Sequence, residues 1–82
     1  MSGLMSAVTI FDSPKDFPGV SVARRFTIKG GRVFATADYQ IGPDAASLRG
    51  WAQSQVSKFN KSDPYPIPRM ENDHVSVVET WV

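Results

Sequence analysis

The chain has no cysteine. That excludes a disulfide-stapled scaffold, a thiolate metal site and a cysteine nucleophile. It has a single histidine, His74, so any serine triad must use that residue as its base. No serine stands in a Gly-x-Ser-x-Gly elbow, which leaves an enzyme without an acid, base and nucleophile set. An excess of either charge is missing too: nine Lys and Arg oppose eight Asp and Glu. Nonspecific nucleic-acid binders usually carry a large basic excess. No apolar run reaches the roughly 18 residues of a membrane span, and the start carries no basic segment followed by a long apolar core. A cytoplasmic, membrane-free protein is expected; if phage-encoded, it works in the host cytoplasm.

What is present fits one folded domain over residues 1–82. The 82 residues are 41% hydrophobic and 11% aromatic, with net charge +1. Disorder is disfavoured by that balance. A core of this size is marginal, which tilts the reading toward a chain that works against a partner. Residues 1–5 are expected to be flexible, and Met5 would serve as an alternative start.

Ser6 to Asp12 reads as a strand with apolar groups on both faces. Ser13 to Gly19 is a loop punctuated by two prolines and a glycine. Val20 to Ile41 is the clearest element, because Gly30-Gly31 separates two alternating runs, as a two-residue type I′ turn requires. That turn sets Lys29 opposite Arg32, Ile28 opposite Val33, Phe26 opposite Ala35, Arg24 opposite Ala37, Val22 opposite Tyr39 and Val20 opposite Ile41. From Ile28–Val33 onward these pairs share one face, apolar except at Arg24. The other face, with Thr27, Phe34, Arg25 and Thr36, reads as wet. Gly42-Pro43-Asp44 opens a helix with Ala45, Leu48, Ala52, Val56 and Phe59 on one side and Trp51 beside them. That helix is expected to lie on the hairpin's apolar face. Gly50 would permit a close approach, and Asn60 would cap the end. Residues 60–73 form a proline-rich connection on a polyproline-like path. It reads as a stiff strap packing Tyr65 or Ile67 on the core. His74 to Val82 is a last strand, with Trp81 in the core or an interface. The predicted fold is α+β: a four-stranded, mostly antiparallel sheet with one helix packed on one face, in the order strand-strand-strand-helix-strand.

Glu71, Asp73 and His74 have metal-ligand chemistry but no recognised spacing. Neither a metal nor a cofactor is expected. Gly30-Gly31 lacks the Gly-Lys-Ser/Thr of a phosphate loop. The basic cluster is the best candidate site. Arg24, Arg25, Lys29 and Arg32 are four of the nine cations. Arg25, Lys29, Arg32, Phe34 and Thr36 are the expected partner-binding residues. Cations around an aromatic suit a protein hot spot or a single-stranded nucleic acid; a plain solvated face is the third reading. Arg24, on the apolar face, is expected near the sheet edge or reaching an acid such as Asp44 or Glu79.

This layout of a small sheet with a helix, without enzymatic residues, resembles small phage-encoded anti-CRISPR inhibitor proteins. The resemblance is architectural and carries no motif. It implies a non-enzymatic phage or mobile-element protein that sterically inhibits a bacterial host complex, for instance a CRISPR surveillance complex. A single-stranded nucleic-acid-binding domain, or a self-assembling structural subunit with a homodimer as its simplest form, stays open beside it.

Overall fold

The computed structural model describes residues 4–71 and 73–82. Five strands form one antiparallel sheet. They are β1 (Met5–Asp12), β2 (Ser21–Lys29), β3 (Arg32–Gly42), β4 (Pro66–Pro68) and β5 (Val77–Trp81), in the spatial order β3-β2-β1-β5-β4. A short 3-10 turn, Ala46–Leu48, leads into the single helix α1, Arg49–Asn60. The α+β class and the antiparallel sheet agree with the sequence reading; the strand count does not. Residues 1–3 of the expected flexible start lie outside the described residues, whereas Met5 opens β1.

The extra strand lies in the proline-rich connection. Tyr65 and Val82 exchange both backbone hydrogen bonds, at 2.8 and 2.9 Å. Antiparallel ladders alternate bonded and non-bonded pairs, so Pro66 opposite Trp81 and Pro68 opposite Glu79 fall on non-bonded positions. A proline tolerates that place, because its missing N–H would have pointed away from the ladder.

Between β2 and β3 the expected register holds from Lys29–Arg32 to Phe26–Ala35. Gly30 and Gly31 both have positive φ, 58° and 77°, as the tight turn demands. Beyond Phe26 the register shifts, and Arg24 faces Tyr39 rather than Ala37, and Val22 faces Ile41. The shift is an even number of residues, so the faces are not exchanged. Side chains hold this irregularity. Thr36 Oγ1 donates to the Arg25 carbonyl at 2.8 Å and accepts from the Asp38 N–H.

The core lies between α1 and β1. Val8 and Ile10 of β1, Ala23 of β2 and Trp81 of β5 meet Leu48, Ala52 and Val56, and Ala45, Trp51 and Val78 close its rim. The helical stripe is therefore the expected one except at Phe59, which is 44% exposed, but it covers the other face of the sheet. β1 explains the correction. As the central strand it has apolar groups on both sides, so the hairpin pattern alone does not say which side the helix takes. Val8, Ile10 and Trp81 share a side and make the deeper seat.

The helix ends differ in detail from expectation. Asp44 accepts from the Ser47 N–H at 2.9 Å, but Gly50 faces open space. The tight approach is at Gly42, where a Cβ would stand 2.5 Å from Ser47 Oγ and 3.0 Å from Leu48 Cδ2. Lys61, in the left-handed region, is the C-terminal cap. Asn60 instead clips the helix to β1: its Oδ1 accepts from the Ser6 N–H at 2.7 Å, and its Nδ2 donates to the Ser6 carbonyl at 2.8 Å.

Candidate interaction face

Of the sequence-predicted site residues, Lys29, Arg32 and Phe34 share Arg25's side of the sheet, while Arg25 and Thr36 are engaged within the fold. Arg25 lies on the helix side, opposite Val8. Only 12% of its side chain is exposed, which corrects the expectation of a wet position. Its guanidinium bonds Asp38 Oδ2 at 2.8 and 2.9 Å and Ser6 Oγ at 3.0 Å. It stands 3.9 Å from the Phe59 ring centre, in cation–π contact. Thr36 is occupied in the β3 irregularity. Lys29 and Arg32 are exposed at the hairpin tip, and Phe34 is 50% exposed opposite Thr27, with no strand over it.

The other side of the sheet carries no helix. Val33, Tyr39 and Ile41 of β3 and Met5 of β1 are exposed there, Val33 to 63%. Phe11, Phe26 and Ile28 are half-buried between them. An exposed apolar patch of this kind marks an interaction surface more often than scattered single residues do. The sequence had placed the hairpin members of this set, Phe26, Ile28, Val33, Tyr39 and Ile41, on one face, but with the helix expected over it; Met5 and Phe11 were not assigned to it.

Arg24 lies in the middle of this face. It reaches neither Asp44 nor Glu79: its Nε donates to the Thr36 carbonyl at 2.9 Å. That carbonyl is available because the ladder is broken there. The strand carboxylates are engaged on the helix side. Asp38 holds Arg25, Asp12 accepts from Ser21 Oγ, and Glu79 takes Arg49 at 3.0 Å and Trp81 Nε1 at 2.6 Å. Burial pushes the Glu79 carboxyl up, but the hydrogen bonds from Arg49 and Trp81 and the charge of Arg49 outweigh it and hold the carboxyl below its ordinary value.

At one end of the open face the loop 13–19 folds over the sheet. Ser13 starts it with positive φ, 49°, and its Oγ accepts from the Gly19 N–H at 3.0 Å. Phe17 is thereby carried to within 6.4 Å of Tyr39, centre to centre. A groove of about 310 Å³ results, walled by Phe11, Phe17, Val22 and Phe26, with Arg24 and His74 at its margin.

His74 and Ser76 are 2.9 Å apart, Nδ1 to Oγ. The same Nδ1 accepts from the Ser76 N–H, so the pair closes a turn before β5. Asp73 is turned away, accepting from the Met70 N–H. Among the described residues no three His, Cys, Asp or Glu groups gather to hold a metal. No described helix is long and apolar enough to cross a membrane.

No family model, curated protein or solved structure matches the chain.

Proposed function

We propose that this is a non-enzymatic binding domain that docks a protein partner on the open face of its sheet and acts by covering that partner. The observation that carries the reading is the apolar face left without a helix, with an arginine at its centre. Tyrosine and arginine are enriched in protein hot spots and phenylalanine and methionine at interface cores, and neighbours such as Val33 and Ile41 exclude water around them. Lys29 and Arg32 at the hairpin tip would supply rim charge, which speeds encounter more than it adds affinity. In its most specific form the partner is a bacterial host complex and the chain a phage or mobile-element inhibitor. That form follows from the architectural resemblance alone.

The test is capture of partners from a bacterial lysate by the tagged chain, with and without nuclease, beside the variant Met5→Ser/Val33→Ser. Both positions are exposed, so the variant keeps its fold. A stoichiometric protein that survives nuclease and is lost with the variant supports the reading. Material that vanishes on nuclease treatment, with affinity falling steeply between about 50 and 200 mM salt, moves the assignment to single-stranded nucleic acid. Sedimentation that rises with concentration, and reverts in the variant, moves it to self-assembly.

A further inference from the structure

We infer that the groove beside Arg24 receives an acidic peptide segment: an aromatic or large apolar side chain enters between Phe11, Phe17 and Phe26, and a neighbouring carboxylate meets Arg24. The inference rests on the docking reading and names the chemistry the partner must present.

The groove is built rather than incidental. Its outer wall, Phe17, is held by the Ser13–Gly19 bond and by the Phe17 N–H, which donates to the Pro14 carbonyl at 2.9 Å. Its floor is the half-buried pair Phe11 and Phe26. A volume of about 310 Å³ lies at the low end of ligand pockets. It suits one or two side chains and not a helix.

The charge is equally arranged. Arg24 is fixed through Nε to the Thr36 carbonyl, which orients the guanidinium plane. Its two terminal nitrogens have no acceptor among the described residues, and no carboxylate lies within ion-pair distance. A planar fork with its ends free is matched by a carboxylate, which takes two parallel N–H bonds. Lys15 stands at the same groove and favours the same sign, against the single rim carboxylate Asp16.

Other occupants fit less well. A second copy with its two-fold axis at the groove would bring Arg24 and Lys15 against their twins, four cations against two Asp16 carboxylates. A nucleic-acid strand needs a track of cations for successive phosphates. Here Lys29 and Arg32 lie at the hairpin tip, away from the groove, and aliphatic Val33 and Ile41 line the open face. An apolar anchor with one acid needs only what is present.

The experiment titrates the ¹⁵N-labelled full chain with acetyl-Glu-Phe-Glu-Phe-amide. Controls are the same peptide with Gln for Glu, the same with Ala for Phe, and a thymidine oligonucleotide. The acidic aromatic peptide should shift amides of loop 13–19 and of Val22 to Phe26. Both control peptides should bind about tenfold more weakly or not at all. Arg24→Gln and Phe17→Ala should each cut affinity by a similar factor, and Arg24→Lys by less. Equal binding of the Gln peptide, shifts elsewhere on the fold, no shift at millimolar peptide, or no effect of Arg24→Gln each overturns the inference. Tighter binding of the oligonucleotide at the same amides overturns it in favour of nucleic acid. If lysate capture still depends on Met5 and Val33 but is untouched by Arg24→Gln and Phe17→Ala, this inference falls and the docking reading stands. If the peptide binds the groove while capture ignores Met5 and Val33, the reverse holds.

Discussion

Arg24 and Arg25 are neighbours in sequence and opposites in the fold. Arg25 points to the helix side, where Asp38, Ser6 and Phe59 occupy it. Arg24 points to the open side, where, among the described residues, only the Thr36 carbonyl holds it. The two faces they mark differ in the same way. On the helix side Arg25 pairs with Asp38 and Arg49 with Glu79, and Leu48, Ala52 and Val56 are buried. On the open side apolar groups stay in water and the cation keeps its terminal nitrogens free. Stability is therefore concentrated on one face, and the capacity to bind on the other.

Substitutions can break that division in order of size. Leu48→Ala, at the centre of the covered face, should cost about 2–5 kcal/mol. Thermal melting should record this as a fall of roughly 4–8 °C per kcal/mol. A smaller effect would mean that the helix is loosely seated. Arg25→Ala should cost about 1–2 kcal/mol through lost packing and pairing. Arg24→Ala should leave the melting temperature within the equivalent of about 0.5 kcal/mol, as an exposed site does. Equal losses at the two arginines would erase the contrast between the faces. Acid should act on the covered face through Glu79. Glu79 is held below its ordinary value of 4.5, so its contribution is complete above that value and is lost as pH falls through the lowered folded value. Glu79→Gln should flatten the decline of melting temperature on acidification, measured by circular dichroism from neutral to acid pH. Met5→Ser/Val33→Ser should change melting least and partner capture most.

Much of this was legible in the chain. Gly30-Gly31 set the hairpin, because only a turn with two positive φ angles suits that pair between alternating runs. Leu48, Ala52 and Val56 identified the buried stripe of the turn and helix, with Ala45 at its rim; Phe59, expected with them, stays exposed. The register beyond Phe26 was not readable, because Thr36, Asp38, Arg24 and Arg25 settle it through contacts across strands. The side that the helix takes was hidden for a related reason: β1 offers apolar groups on both faces, so the choice belongs to the assembled sheet. Residues 64–68 did carry a readable signal. Proline at alternate positions has the period of a strand, and the apolar Tyr65 and Ile67 fall between the prolines. Reading the segment as a polyproline-like strap passed over that period.

The spacing of those prolines also limits how copies can join. Along β4 the backbone positions that face away from β5 are Pro66 and Pro68, so this margin offers carbonyls and no donor to an incoming strand. The opposite margin, β3, keeps its donors. Head-to-tail stacking of sheets requires both margins to be competent, and here one is chemically capped. Extension by edge pairing can join one β3 to another and then ends, so this route closes at a pair of molecules and cannot propagate into a fibre.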